Sequence, residues 1–557
     1  MTKLIIDHIY DHEAARPDQV FLTQPIGAGE VRDYTWGQMM DESRRMAAHL
    51  VGLGLEPGAR IALLAKNSAH FVMAELAIWM AGGTTVAIFP TETADNVRFV
   101  LEHSGASLLF IGKLDGWAQQ ASGVRADLPC IELPLAPSTG FPTWNDIIAG
   151  TAPLAGRPQR QGSDLAMLMY TSGSTGQPKG VMHSFERITR MTELRNADAQ
   201  KRLGEGSVMR LLSYLPLAHA YERFGVETAL LQDGRGHIYF ADTLATFVAD
   251  LRRASPNVFL SVPRLWLKFQ QGVFAGMPPE QLDPLLDNPA TAGVVGKKVL
   301  AGLGLDSVVI AASASAPIPP SLMAWYRRLG LNLIEGYGMT EDGAYSHSTD
   351  DLHNEPGCVG LPAPGVQVRI ADDGEILIKS PGQMVGYYKR PDLDRECFTD
   401  DGFFYTGDRG ERLADGQLRI TGRVKELFKT AKGEYVAPAP IENRLNSHPM
   451  VESSIVTGVG QPAAYAVVVL DEHLRPKVAD AAVRAKVEAE LGQLLLEINA
   501  ALVGHERLQM LVISREPWSI ENGFLTPTMK IKRSRIETAL APLVDDWYRM
   551  PGPVLWA

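Results

Sequence analysis

Short apolar runs alternate with amphipathic stretches over most of the chain. Residues 34–50 place Met39, Met46 and Leu50 at helical spacing, with Thr35 ahead of them as a capping residue. The apolar run at 58–64 predicts a buried strand. Similar patterns predict a helix over 71–80, a strand over 85–89, a helix over 96–103 and a strand over 107–111. Residues 112–162, rich in Pro, Ala and Gly, predict loops. The alternation then resumes, with strands over 210–214, 258–260 and 308–312 and helices over 222–231, 247–253 and 322–329. Residues 270–295 predict irregular structure. Strands alternating with helices predict a largely parallel α/β sheet. The longest apolar run, 71–90, contains Glu75, Gly82, Gly83, Thr84 and Thr85. It reads as a buried helix and strand rather than a membrane span.

Past residue 355 the period changes from helical to alternating. The runs 366–370 and 375–379 flank Asp372-Asp373-Gly374, and a second pair flanks Asp415-Gly416. Both predict antiparallel hairpins and a small β subdomain. The remainder predicts a separate α+β unit: a helix over 440–446, strands over 452–459 and 464–470, a helix over 479–499 and a strand over 510–513. The expected fold class is therefore α/β. Its domains are a large N-terminal one (1–422), with the β subdomain, and a smaller α+β C-terminal one (423–557).

Composition narrows the function classes. The 557 residues exceed what one core can organise. Lys and Arg total 53 against 64 Asp and Glu, a net charge of −11 that argues against a nucleic-acid partner. The three cysteines, Cys130, Cys358 and Cys397, are far apart, which fits a reducing cytoplasm better than a disulfide framework. Charge at Lys3 and Asp7 comes too early for a signal peptide. Membrane contact is expected to be peripheral at most.

The chemistry concentrates in four stretches. In the first, the apolar run 165–169 leads into Tyr170-Thr171-Ser172-Gly173-Ser174-Thr175-Gly176-Gln177-Pro178-Lys179-Gly180. Its glycines let backbone N–H groups approach an anion, its hydroxyls donate or ligate, and Lys179 brings a mobile positive charge. That combination suits a phosphate better than a flexible linker, which gains nothing from fixed Tyr, Pro and Lys. The spacing is not that of a Walker A loop. In the second, Glu335-Gly336-Tyr337-Gly338-Met339-Thr340-Glu341 follows an apolar strand and supplies an aromatic face, glycines and a carboxylate. Strand C-terminal ends are where α/β folds bind ligands. The third is Tyr405-Thr406-Gly407-Asp408, with Arg423 and Lys425 beyond it, and the fourth is the lysine-rich run 525–533 around Lys530.

In this order the four stretches resemble the adenylate-forming superfamily of acyl-CoA synthetases, luciferases and adenylation domains, over about residues 30–535. The resemblance implies an AMP-binding N-terminal domain and a mobile C-terminal lid, with ATP, Mg2+ and coenzyme A as cofactor and co-substrates. It implies that Thr171 and Glu341 hold the metal, that Lys179 meets the outer phosphates and that Thr340 meets the α-phosphate. Tyr337 would stack on adenine, with Ser315 and Ala316 in the adenine wall. Asp408 and Arg423 would hold the ribose, Lys425 would be the hinge, and Lys530 the catalytic lysine. The family usually has glycine where Ala314 stands.

Residues 214–223, 261–266 and 429–438 resemble long-chain fatty acyl-CoA synthetases in particular. The resemblance puts His219 beside the acyl pocket, and Trp266 either beside it as a gate or in the core. Leu267 stands where that group has glutamate, and 270–300 is short for it. The implied reaction activates a medium- to long-chain acid as acyl-adenylate, then transfers the acyl group to coenzyme A. A homodimer is compatible with this reading. The same motifs also allow a fatty acyl-AMP ligase, an aromatic-acid ligase or a luciferase-like oxygenase. The intact Thr171, Lys179, Glu341, Asp408, Arg423 and Lys530 speak against a non-catalytic nucleotide-binding protein.

Overall fold

The computed structural model describes residues 3–171, 178–355, 357–526 and 529–557. The predicted alternation builds a seven-stranded sheet. From one edge its order is Gly386–Tyr387, Lys179–Ser184, Leu165–Thr171, Thr84–Ile88, Arg60–Leu64, Leu108–Ile111 and Cys130–Glu132. The last five are mutually parallel, and the two at the first edge pair antiparallel. The sheet is thus largely parallel, as expected, with one antiparallel edge. That edge turns the polar stretch after Thr171 into the link between two paired strands.

The helix Trp36–Gly52 starts where expected. Thr35 accepts from the Gln38 N–H and the Gln38 side chain returns to the Thr35 N–H. Every residue of the helix Ala69–Met80 is buried, as the reading of 71–90 required. Its mid-helix Glu75 is charge-matched. Arg223, fully buried, reaches Glu75 Oε2 at 3.0 Å and Glu227 Oε2 at 2.7 Å. Arg223–Glu227 is a π-helical turn, a local irregularity of the kind often found at working sites.

Two expectations fail. Residues 270–295 are helical, not irregular: Pro263–Gly276, Pro279–Asp287 and Ala292–Leu303. Pro263 and Pro279 sit in first turns, where no N–H is required, and Phe269, Leu282, Leu286 and Leu300 pack into one core with Tyr326. Residues 112–162 carry short helices, Trp117–Gln120 and Trp144–Gly150, and one sheet strand. The N-terminus adds a helix, Ile5–Ala15, and a hairpin, Val20–Gly27 with Glu30–Thr35, that the pattern did not announce. The hairpin joins His237–Phe240 and Arg210–Ser213 in a second sheet.

A five-stranded sheet runs Val258–Ser261, Ile310–Ser313, Leu333–Tyr337, His347–Ser348 and Leu361–Pro362, its first three strands parallel. The predicted hairpins form as Gln367–Ile370 with Glu375–Lys379 and Phe404–Arg412 with Leu418–Arg423. Gly374 (φ +85°) and Gly416 (φ +92°) take the left-handed turn positions that favour glycine. The C-terminal unit has its own sheet, Val451–Thr457, Ala464–Leu470, Leu508–Ile513 and Val554–Trp556, and its own core around Val468, Leu491 and Leu511. Among the described residues, no helix is long and apolar enough to cross a membrane.

Candidate active site between the two domains

Sheet register brings the first stretch to its place. Thr171 and Lys179 stand opposite each other at the ends of paired strands. Ser172, Gly173, Ser174, Thr175 and Gly176 lie outside the described residues. The next strand in the sheet delivers Tyr387, whose ring lies 5.2 Å from Lys179 Nζ. The Tyr387 hydroxyl donates to Glu341 Oε1 at 2.7 Å. One tyrosine thus ties the lysine of the first stretch to the carboxylate of the second. Tyr387 was not singled out in the sequence. Nothing local marks it, because both partners lie more than forty residues earlier in the chain.

The strand Leu333–Tyr337 carries Glu335, Gly336 and Tyr337, so part of the second stretch is sheet rather than loop. Gly338, Met339 and Thr340 then turn sharply. A Cβ on Gly338 would stand 2.7 Å from the Ala344 backbone, so only glycine fits without a shift. Asp342 fixes the turn by accepting from the N–H groups of Met339 (2.9 Å) and Tyr345 (3.2 Å). Its full burial pushes its carboxyl up to about 7. Burial pulls His183 down to about 4. The neutral ring's Nε2 donates to the Thr340 carbonyl at 2.9 Å. Asp342 and His183 are positioning groups the sequence reading missed; neither lies in a recognisable spacing.

Ser315 holds φ +73°, rare for a residue with a side chain, on the loop expected to form the adenine wall. The neighbouring Glu335 is buried, which pushes its carboxyl up to about 8, and its Oε1 accepts from the Ile318 N–H at 3.4 Å. Asp408 and Arg423 are register partners, with Arg423 Nε 3.1 Å from Asp408 Oδ1. The Tyr337 hydroxyl donates to Asp408 Oδ2 at 2.7 Å.

Lys530 arrives from the C-terminal unit. Its N–H donates to Thr526 Oγ1 at 3.0 Å, its carbonyl accepts from the Thr526 N–H at 2.8 Å, and its side chain stands among Arg423, Glu341 and Asp408. Solvent still reaches it, yet protein closes round it, and that burial lowers its pKa. Arg423 acts in the same direction, while Glu341 and Asp408 oppose. His219 faces the same space. Its Nδ1 accepts from the Tyr221 N–H at 3.2 Å, and burial, aided by the Lys530 charge, pulls it down to about 3, so the ring is neutral.

All these groups line one cavity of about 2530 Å³: Thr171, Lys179, His219, Ser315, Ala316, residues 335–341, Asp408, Arg423, Lys425 and Lys530. Trp266 is the exception. It is fully buried in the second core, 5.0 Å from the Tyr326 ring and 5.3 Å from Phe259, and does not reach the cavity. Its helix turns Trp266 inward with Phe269, so of its two expected places the one beside substrate is withdrawn. Part of the remaining wall is apolar, with Met209, Leu211, Ala229, Val258, Leu260 and Ile310.

No cluster of three or more His, Cys, Asp or Glu side chains forms a metal site among the described residues. A lone carboxylate, Glu341, and the Thr171 hydroxyl on one cavity still fit Mg2+. That ion commonly takes one or two carboxylates and fills its shell with water and substrate phosphate.

The AMP-binding enzyme model matches residues 10–388, and the AMP-binding enzyme C-terminal domain model matches residues 426–551. The chain is 30% identical to the long-chain-fatty-acid–CoA ligase FadD15 of Mycobacterium tuberculosis, over 97% of this chain and 96% of that one. It is 27% identical to the peroxisomal long chain acyl-CoA synthetase 7 of Arabidopsis thaliana, over 93% and 82%. Among solved structures, the anthranilate CoA ligase AuaEII with anthranoyl-AMP superposes at TM-score 0.78, with 21% identity over 98% of both chains. The A-PCP didomain of the carboxylic acid reductase from Segniliparus rugosus superposes at 0.81, with 21% identity over 98% of this chain and 82% of that one. The matched models cover both structural units on either side of residues 389–425, and the chain belongs to the AMP-binding enzyme family.

Proposed function

We propose that the protein is an ATP-dependent ligase that activates a medium- to long-chain fatty acid as its acyl-adenylate and passes the acyl group to coenzyme A. The observation that carries this reading is the meeting of Lys530 with Glu341, Asp408 and Arg423 in a cavity that also has apolar walls. In the first step a carboxylate oxygen of the acid attacks the α-phosphorus of ATP. The bond to the bridging oxygen breaks, and pyrophosphate leaves with its electron pair. Lys530 neutralises charge at the acid and the α-phosphate, Lys179 attracts the outer phosphates, and Asp408 and Arg423 hold the ribose. Thr171 and Glu341 would hold Mg2+, which when bound offsets phosphate charge. The neutral His219 beside Lys530 borders the acid without competing for its charge. In the second step the coenzyme A thiolate attacks the acyl carbon and AMP leaves.

The domain boundary falls at 422–423 on this reading, with Lys425 as the hinge. Lys425 lies in the single turn Val424–Glu426, just ahead of the C-terminal family match. A proline there fixes φ and restricts its predecessor. Lys425→Pro is expected to leave acid-dependent ATP–pyrophosphate exchange within a few-fold and to cut thioester formation severely. An unimpaired second step would remove Lys425 from the hinge. Asp408→Ala removes a charged acceptor worth about 1.5–3 kcal/mol, so the apparent KM for ATP should rise roughly 10- to 100-fold. An unchanged ATP dependence would exclude the ribose contact.

Pyrophosphate release across acids of graded chain length, with and without coenzyme A, tests the whole reading. A product without thioester would make the protein an acyl-AMP ligase, and preference for benzoate-like acids would make it an aromatic-acid ligase. Three unpaired cysteines suit the cytoplasm, where the enzyme would touch membranes only peripherally. A homodimer is compatible with that setting.

A further inference from the structure

The helix Pro263–Gly276 belongs to the large domain and reaches the small one with one polar face. Arg264, Lys268 and Gln271 recur at spacings of four and three, which puts them on one side of the helix. Each meets an acid of the small domain. Arg264 Nη2 lies 2.8 Å from Glu452 Oε1, and Lys268 Nζ lies 3.4 Å from Glu472 Oε1. Gln271 Nε2 donates to Asp471 Oδ2 at 3.4 Å. The acids are arranged to receive them. Glu452 stands on the strand Val451–Thr457, and Asp471 and Glu472 follow its neighbour Ala464–Leu470. Arg475 holds the other oxygen of Glu452 at 2.7 Å, aiming the carboxylate across the domain boundary.

The same sheet carries the lysine. Leu525 and Ile531, on either side of Lys530, pack with Ile455 and Val467 of those two strands. Whatever fixes the strand ends therefore fixes where Lys530 points. Each of these ion pairs is half exposed, so each is individually weak and screened by salt. Together they act on a balance between two domain orientations, and such a balance responds to small differential contacts.

We propose that Arg264 and Lys268 are positioning residues for adenylation: with Glu452 and Glu472 they form an electrostatic latch that holds the small domain in the orientation presenting Lys530 to the cavity. This rests on the ligase reading and on alternation of the small domain between the two half-reactions. Of the latch residues, Arg264 and Glu452 line the cavity and Lys268 and Glu472 do not, so the Lys268–Glu472 pair reports orientation apart from any contact with substrate. Their contribution is to the fraction of molecules poised for the first step. Releasing the latch frees the domain for the second.

The test reverses the charges, Arg264→Glu with Lys268→Glu, and measures the half-reactions separately. Acid-dependent ATP–pyrophosphate exchange should fall roughly 10-fold as the poised population drops, while thioester formation from supplied acyl-adenylate stays within about twofold. Raising salt should reduce exchange in the natural protein more than in the double variant. Lys268→Glu paired with Glu472→Lys should recover most of the exchange that Lys268→Glu loses. Equal losses in both half-reactions, unchanged exchange, or no recovery in the swapped pair would overturn the latch. Energy transfer between dyes on the two domains reports the orientation without chemistry. Should the natural protein exchange no pyrophosphate with any acid, the ligase reading fails. The latch then stands if charge reversal shifts the dye distance and falls if it does not.

Discussion

Lys530→Ala should lose acid-dependent ATP–pyrophosphate exchange by about 10²–10³-fold, the range for removing one preorganised charge from a developing anionic centre. Thioester formation from preformed acyl-adenylate should change by only a few-fold. The asymmetry follows from geometry. Lys530 stands among Asp408, Arg423 and Glu341, where the α-phosphate would lie between them. Solvent reaches Lys530 in the open cavity, and bound nucleotide and acid would displace it, so the lysine charge acts with little screening once the substrates are in place. Lys530→Arg keeps the charge but not the compact ammonium, and should recover only part of the activity. Equal losses in both half-reactions would assign Lys530 to general architecture instead.

Arg223→Ala should destabilise the large domain by about 3–5 kcal/mol, as expected when one partner of a buried ion pair is removed. Arg223, Glu75 and Glu227 are each almost wholly shielded from water. Burial raises Glu75 well above the usual carboxylate range, while the Arg223 charge opposes that shift. Without Arg223, Glu227 must bury an uncompensated charge or take up a proton. The unfolding midpoint of the large domain should therefore fall sharply. Adding Glu75→Gln and Glu227→Gln to Arg223→Met should restore much of the loss, since no lone charge would remain. A single variant as stable as the parent would show that the network contributes little to the fold.

The sequence was most legible where chemistry restricts the choice of residue. The second, third and fourth stretches converge on one cavity through sheet registers, such as Asp408 opposite Arg423, that no linear motif displays. Helical periodicity was readable at Trp36–Gly52 because the cap and the stripe agree. It was hidden in Pro263–Leu303, where Pro278, Pro279, Pro284, Gly293 and Gly296 look like breakers. Pro278 and Pro279 open one helix, Pro284 sits inside it, and Gly296 lets the next helix touch the Leu329 backbone. Trp266 could be read as core or as pocket wall for a related reason, and the structure puts it in the core. Its neighbours in sequence suggested a pocket, while the direction of its side chain depends on the helix that the pattern failed to predict. Tyr387 and His183 were invisible because each acts through a contact between distant segments, and Asp342, which holds its own turn, because a buried turn carboxylate reads like a surface one.

The bonds at Asp408 bear on turnover. With Asp408 as the ribose acceptor, both its oxygens already have protein partners, Tyr337 and Arg423. A nucleotide must then bind by exchange, displacing or sharing internal bonds rather than filling an empty socket. The cost appears as weaker ground-state affinity. The return comes after acyl transfer, when Tyr337 and Arg423 compete with the ribose of AMP for the same carboxylate. Internal competition of this kind shortens product residence, so the device that weakens nucleotide binding also clears the site for the next cycle.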